Sequence, residues 1–203
     1  MTIFLETFYD HSFAPALLTD RPVLDVGARG FSFAYHFAVR GHEVIALDPD
    51  PDIADPKIKG VKFINSALIG NGPSTAILAK TSDPEGRYIE DGSVVVESGA
   101  SRVPVHAYTI QGLSEALGIP KWDLVKLNCE GAEYGILRAW PGPIARQIVV
   151  SFHEHYRPQG QRAIDGIVEH LAQWYAPIRH ESDRRFGAGL NYWDSVFALK
   201  ELI

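Results

Sequence analysis

The sequence predicts an α/β fold built on a doubly wound, mainly parallel sheet. Short apolar runs that are typical of buried strands alternate with segments of helical period through most of the 203 residues. The first apolar run ends at a glycine just before a helix begins, as a parallel strand does when it enters its crossover. Two further strand-like runs close the sequence, and they predict an antiparallel hairpin at one edge of the sheet.

The first half of the chain contains three predicted strands and one predicted helix. Residues 22–26, 43–47 and 61–64 are apolar runs that end at glycine, aspartate or asparagine, which favours buried parallel strands. Residues 31–40 predict a helix because they are apolar on most sides. We expect this helix to stop at Gly41, because glycine readily adopts the left-handed conformation that ends many helices.

Residues 70–102 interrupt this alternation because they are rich in glycine and proline. We predict a hairpin-rich excursion here, with short strands at residues 75–78 and 93–97. Thr109 predicts the N-cap of a helix that ends at Gly118. The remaining predicted elements are strands at residues 122–127, 148–152, 176–180 and 192–199, and helices at residues 132–140 and 164–171.

Composition narrows the class of protein. The formal net charge of -6 disfavours broad binding to nucleic acids or anionic membranes, since an acidic body repels phosphate. Cys129 is the single cysteine, so no intrachain disulfide forms and a reducing compartment is expected. Residues 1–18 carry acids and no basic n-region, so we expect no signal peptide here, and no apolar run approaches the length of about 18 residues that spans a bilayer. We expect one cytoplasmic domain over residues 1–203, with residues 1–20 as a lead-in.

A glycine turn follows the first predicted strand, in the order Asp25, Val26, Gly27, Ala28, Arg29, Gly30. Glycine lets the backbone approach a cofactor closely because it has no Cβ. The N-terminus of the next helix offers free N–H groups to an anion. A tight turn without any ligand is the alternative, and the turn alone does not decide between them.

Asp48 ends the second predicted strand, 23 residues after Asp25. An acid at this spacing can accept hydrogen bonds from both ribose hydroxyls of a nucleoside cofactor, whereas a solvated loop acid is the alternative. The turn has only Gly27 and Gly30, so it fits the glycine pattern of nicotinamide enzymes poorly. The two features together predict a nucleoside cofactor.

Residues 123–137 read DLVKLNCEGAEYGIL. This segment resembles the signature of the FkbM methyltransferases, in which a strand of the form DLVKID runs into EGAE and then a helix. Residues 24–28 (LDVGA), 46–49 (ALDP), 65–68 (NSAL), 105–109 (VHAYT) and 152–155 (FHEH) resemble other elements of that family in the same order. The resemblance covers roughly residues 20 to 200.

The resemblance implies a Rossmann-like methyltransferase sheet and S-adenosylmethionine as the cofactor. The residues expected to bind this cofactor are Asp25, Gly27, Ala28, Arg29, Gly30, Asp48, Pro49, Ser66 and Ala67. Two departures from the family pattern concern the site. The family has aspartate where this chain has Asn128, and its glycine turn is one residue longer, with asparagine at the place of Arg29.

The fourth parallel strand and its turn carry the first group of candidate catalytic residues. Lys126, Asn128 and Glu130 alternate in sequence, so they share one face. Glu130 and Glu133 lie in the first turn of the next helix, where the helix dipole favours carboxylates. We prefer this capping interpretation for Glu133, whereas a capping role and a site role stay equally open for Glu130.

His153 and His155 form the second group, at the end of the next strand. Two histidines at this spacing face the same way and suit a general base or a metal ligand, although strand-end histidines are often merely polar. We rank His153 first as the base, Glu130 second and His155 third, with Lys126 and Asn128 orienting the acceptor or the donor. We assign no metal ligand.

The sequence therefore predicts an S-adenosylmethionine-dependent methyltransferase that, as the resemblance implies, O-methylates a hydroxyl of a sugar or secondary metabolite. The alternatives are a non-catalytic cofactor-binding module of the same fold and, with less support, a nicotinamide-dependent oxidoreductase. Arg184 and Arg185 lie in the loop of the closing hairpin and predict an anionic acceptor, because arginine binds phosphate or carboxylate bidentately. A solvated turn is the alternative interpretation of these arginines.

Overall fold

The computed structural model describes residues 15–81, 87–90, 100–153, 160–183 and 192–203. In these ranges the strands are β1 (Val23–Val26), β2 (Val44–Asp48), β3 (Val61–Asn65), β4 (Ala67–Ile69), β5 (Thr75–Lys80), β6 (Arg87–Glu90), β7 (Ser101–Thr109), β8 (Trp122–Leu127), β9 (Ala145–His153), β10 (Tyr175–Asp183) and β11 (Tyr192–Leu199). The α-helices are α1 (Ser32–Ala38), α2 (Ile110–Leu117), α3 (Glu133–Arg138) and α4 (Gly160–Leu171).

Seven of the described strands form one sheet in the order β10-β11-β9-β8-β1-β2-β3. The strands from β9 to β3 are parallel, whereas β11 is antiparallel to both β9 and β10. β10 and β11 thus form the closing antiparallel hairpin that the sequence predicts. The carboxyl ends of β9, β8, β1, β2 and β3 meet at one edge of the sheet, which is where open α/β sheets bind ligands.

The central strands are apolar because the sheet is covered on both faces. Every residue of β1 and β2 is buried, and β8 is buried except at the half-exposed Lys126. One apolar cluster includes Leu24 and Ile45, and a second includes Val23 and Phe37. The predicted parallel strands and the helices between them are confirmed, with boundaries that differ by at most three residues.

Helix α2 has the ends that its sequence predicts. The Thr109 side chain accepts a hydrogen bond from the Gly112 N–H at 3.0 Å, which satisfies one of the free donors of the first turn. Gly118 follows the last turn with φ 67°, the left-handed conformation of a C-cap. The amphipathic stretch buries Ile110 and Leu113 against the sheet.

A second, four-stranded sheet has the order β4-β7-β5-β6. It contains the predicted strand near Thr75, and the strand predicted at residues 93–97 lies outside the described residues. The strand β7 was not predicted from the sequence, because Pro104 is atypical of a strand inside a sheet. Leu78 and Val105 of this sheet join the apolar cluster that also contains Leu24, so the two sheets pack on common core residues.

Within the ranges that the structure describes, no helix has the length and apolar character needed to cross a bilayer.

Candidate active site

The turn between β1 and α1 brings two strand ends into backbone contact. Gly27 has φ 74°, and its N–H donates to the Leu47 carbonyl of β2 at 3.0 Å. A Cβ at Gly27 would lie 1.8 Å from the backbone oxygen of Asn128, so only glycine fits between β1 and the end of β8. At Gly30, by contrast, a Cβ would meet no heavy atom within 4 Å. The turn is therefore closed against β8 at Gly27 and open at Gly30.

Asp25 and Lys126 form a buried ion pair beneath this turn. The Asp25 carboxylate accepts the Ala34 N–H of α1 at 3.2 Å and lies 2.9 Å from the Lys126 Nζ. The same ammonium donates to the carbonyl oxygens of Val26 at 3.2 Å and Gly27 at 3.0 Å. Asp25 thus accepts one of the helix N–H groups that the sequence had suggested for binding an anion. Lys126 holds the turn in place through the two carbonyl oxygens.

Asp48 lies at the end of β2, and 7% of it is exposed. Among the described residues, the Asp50 N–H donates to its Oδ1 at 3.0 Å, and no described donor bonds the other oxygen. Burial raises the pKa of the Asp48 carboxyl, against the lowering effect of that hydrogen bond and of the Lys126 and Arg29 charges. Within the described part of the chain, one Asp48 oxygen thus has no donor at the edge where open α/β sheets bind ligands.

The end of β3 holds the Asp48 turn from the other side. The Asn65 side-chain amide donates to the carbonyl oxygens of Asp48 at 3.0 Å and Asp50 at 2.7 Å. The Ser66 N–H donates to the Asp48 carbonyl at 3.1 Å, and the buried Ser66 hydroxyl lies 3.2 Å from His106 Nδ1. The sequence analysis included Ser66 but missed Asn65 and His106.

The other predicted cofactor residues adjoin the same turns. Ala28 is buried and donates its N–H to the Leu47 carbonyl at 3.1 Å, whereas Arg29 and Pro49 are half-buried. Ala67 is buried and pairs with Ala107 in the second sheet. The structure therefore brings the predicted cofactor residues together at neighbouring strand ends.

A cluster of two carboxylates and one imidazole lies where β8 and β9 end. The buried Glu133 accepts the Gly131 N–H at 2.9 Å and the His153 N–H at 2.8 Å, and its Oε1 lies 2.9 Å from His153 Nδ1. The other ring nitrogen, Nε2, lies 3.4 Å from the Glu130 carboxylate. Glu130 sits in the turn before α3 with φ 50°, and its side chain is 31% exposed.

These contacts determine the charge of His153. Burial would lower the pKa of the imidazole, but the Glu133 and Glu130 carboxylates outweigh it and raise this pKa to about 10. Burial likewise acts to raise the pKa of Glu133, and the His153 charge and the hydrogen bonds lower it below its usual value. At neutral pH the cluster holds an imidazolium between two carboxylates. His153 therefore keeps a proton, which disfavours the base role that the sequence analysis ranked first.

The structure revises several roles expected of the site residues. Glu133 accepts the Gly131 N–H near the start of α3, as the capping interpretation predicts. It also contacts the His153 ring, a contact that the sequence did not predict because the two residues lie 20 positions apart. Asn128 is exposed at the strand edge, where its side chain faces solvent. His155, Arg184 and Arg185 lie outside the described residues.

A mainly parallel sheet with a glycine turn after β1 and an acid after β2 defines a nucleoside-cofactor protein of the α/β class. The sequence profile of the Methyltransferase FkbM domain matches residues 25–183, and the chain belongs to this family of S-adenosylmethionine-dependent methyltransferases. This assignment replaces the nicotinamide alternative. Among curated proteins, none matches the sequence.

Solved structures of other methyltransferases resemble the fold. A putative RNA methyltransferase from Pyrococcus horikoshii is 13% identical and superimposes with a TM-score of 0.50, over 97% of this chain and 84% of that chain. The 1,6-didemethyltoxoflavin-N1-methyltransferase of Burkholderia thailandensis, crystallised with 1,6-didemethyltoxoflavin and S-adenosylhomocysteine, is 16% identical with a TM-score of 0.48, over 97% and 75% of the chains. At 13% identity, the likeness to the Pyrococcus structure concerns the fold alone.

The geometry fits S-adenosylmethionine. The turn is open at Gly30, and one oxygen of the Asp48 carboxylate has no donor among the described residues. Both features lie at the carboxyl edge of the sheet. The residues present therefore suit a nucleoside with a flexible polar arm.

Proposed function

We propose that this methyltransferase methylates a hydroxyl of a small acceptor, such as a sugar or a secondary metabolite, and that Glu130 accepts the hydroxyl proton. The main support is the position of the half-exposed Glu130 carboxylate, beside a buried imidazolium at the strand edge. A general base needs access to the acceptor, and Glu130 has more access than the buried His153 or Glu133.

We propose that the cofactor packs against the backbone of the turn at Gly27, Ala28 and Gly30, and that the Asp48 carboxylate accepts its ribose hydroxyls. Ser66 and Ala67 lie beside Asp48 at the β3 end and border the same crevice. When bound, S-adenosylmethionine supplies a methyl group on a sulfonium, which is an activated donor. The chain must therefore place the acceptor in line with that methyl group and remove one proton.

The cluster holds Glu130 at the strand edge. His153 Nε2 lies 3.4 Å from the Glu130 carboxylate, and Glu133 holds the other ring nitrogen of His153 at 2.9 Å. We assign His153 and Glu133 to positioning Glu130, and the exposed Asn128 to contact with the acceptor.

The acceptor and its surroundings are also proposals. A small anionic acceptor would suit Arg184 and Arg185 of the hairpin loop, and the net charge of -6 is unfavourable for nucleic-acid substrates. We propose a cytoplasmic location on the basis of the single Cys129, since a reducing compartment leaves such a thiol free.

Mass spectrometry with a deuterium-labelled methyl donor tests the function. The purified enzyme is incubated with the labelled S-adenosylmethionine and fractionated metabolites, and we expect a mass increase of one labelled methyl group. The carbon chemical shift of this methyl group, measured by NMR on the product made with unlabelled donor, should show that it is bonded to oxygen. Glu130→Gln should reduce the rate about 100-fold or more while S-adenosylhomocysteine binds as tightly as before. Transfer to nitrogen or carbon would refute O-methylation, and full turnover by Glu130→Gln would remove Glu130 from the mechanism.

A further inference from the structure

Lys80 joins the second sheet to the loop that follows β2. It ends β5, and its Nζ lies 2.6 Å from Asp50 Oδ1 and 2.8 Å from Asp52 Oδ2. The side chain of Asp50 is 3% exposed and that of Asp52 is 74% exposed, so Lys80, which is 16% exposed itself, pairs with one buried and one solvent-facing carboxylate. Hydrogen bonds to Asp50 and then to Asp52 raise the pKa of the ammonium, which keeps the pair charged.

Asp50 in turn fixes the direction of Asp48. Its N–H donates to Asp48 Oδ1 at 3.0 Å, and its own Oδ1 accepts the Asp52 N–H at 3.1 Å. The Asn65 amide holds the carbonyl oxygens of Asp48 and Asp50 from the β3 side. The orientation of the Asp48 carboxylate thus depends on where Asp50 is held, and Lys80 holds Asp50 from the second sheet.

We propose that Lys80 is a positioning residue for cofactor binding, which holds the Asp50 turn so that Asp48 presents its carboxylate to the ribose. This inference rests on the role proposed above for Asp48. It gives the second sheet a function at the site, although Lys80 comes from the segment that interrupts the alternating strands and helices. Lys80 acts through Asp50 and does not touch the cofactor.

Calorimetric titration with S-adenosylhomocysteine tests the proposal. Lys80→Met should weaken binding about tenfold, Lys80→Arg should keep most of the affinity, and Asp50→Asn should behave like Lys80→Met. Lys57→Met is the matched control, since Lys57 pairs with Asp55 at 2.7 Å on the surface with 82% of its side chain exposed. Melting without ligand checks that each variant is folded, and Asp50→Asn replaces Lys80→Met if the latter does not fold.

Lys80→Met combined with Asp48→Asn, compared with each single variant in the same titration, distinguishes the role of Lys80 from the cofactor role of Asp48 on which it rests. If Asp48→Asn weakens binding and Lys80→Met then has little further effect, Lys80 acts through Asp48. If Asp48→Asn weakens binding but both Lys80→Met and Asp50→Asn bind like the parent, the inference about Lys80 is overturned. A full tenfold loss in the Asp48→Asn background also overturns it. Parental affinity of Asp48→Asn itself would instead refute the cofactor role of Asp48.

Discussion

At the scale of single residues, the protonation of His153 depends on partners that lie far away in sequence. Glu133 is 20 residues distant from His153, yet its carboxylate contacts both the backbone and the ring of the histidine. The sequence placed histidine and glutamate at neighbouring strand ends, which parallel topology predicts. The sequence did not show which carboxylate would contact the His153 ring, because this contact depends on how deeply each side chain is buried in the fold. Local sequence patterns therefore predict which residues form this site better than they predict the protonation states of those residues.

The Glu133–His153 pair predicts how stability changes with pH. Because the folded pKa of His153 is about 10 and its usual value is 6.5, the stabilisation is complete below pH 6.5 and is lost as pH rises towards 10. The lowered pKa of Glu133 means that its part is present above pH 4.5 and is lost in more acidic solution. His153→Gln should cost about 3–5 kcal/mol of unfolding free energy near pH 6, and this cost should shrink towards pH 10.

Urea unfolding of the parent and of His153→Gln across this pH range gives the measurement. Lys57→Met, which changes a lysine whose side chain is 82% exposed, is the control and should differ little from the parent. A cost of His153→Gln that stays constant from pH 6 to pH 10 would contradict the buried imidazolium.

Asp48 carries a second prediction at this scale. Asp48→Asn keeps the oxygen that accepts the Asp50 N–H but removes the negative charge offered to the ribose. Hydrogen bonds to a charged acceptor contribute about 2 kcal/mol, so S-adenosylhomocysteine should bind roughly 30-fold more weakly. Isothermal titration calorimetry measures this loss, and the unfolding curve without ligand should stay near that of the parent. Unchanged affinity would remove Asp48 from the cofactor site.

At the scale of elements, the sequence predicted where strands end in turns, but it did not predict which backbone segments of different strands lie in contact. The apolar runs and their glycine, aspartate and asparagine ends predicted the parallel strands, because both signals are local. The strand β7 was missed because its stabilising partners, β4 and β5, come from other parts of the chain. Likewise, Gly27 predicts a turn, but only the fold places the Asn128 carbonyl where its Cβ would be.

Gly27→Ala tests this close approach, and Gly118→Ala is its matched control. Both glycines have φ near 70°, but a Cβ at Gly118 would meet no heavy atom within 4 Å. Gly118→Ala should therefore cost only the left-handed conformation, about 1–2 kcal/mol. Gly27→Ala should cost more than about 3 kcal/mol, because the clash with the Asn128 carbonyl adds to that strain. Equal costs in chemical denaturation would show that β1 and β8 separate easily at their ends.

At the scale of the whole molecule, the two sheets share core and polar contacts. Leu78 of the second sheet packs in the cluster that contains Leu24 of β1, and Lys80 bonds the loop after β2. These contacts support our proposal that residues 1–203 form one domain. The length of the sequence alone favours one domain, but it does not show that residues 70–102 pack on the main sheet. A domain of this kind should unfold in one cooperative transition.

Ligand binding at the strand edge should therefore stabilise the whole chain. S-adenosylhomocysteine at about 100 times its Kd should add roughly 2.7 kcal/mol, since it binds the folded state alone. For a chain of this size that corresponds to an increase in Tm of roughly 5–10 °C. Differential scanning calorimetry should show one transition that moves as a unit, with no shift from NAD at the same concentration. Asp48→Asn should remove most of the shift. Two transitions, of which the ligand moves only one, would show that the second sheet unfolds independently and would refute the single domain.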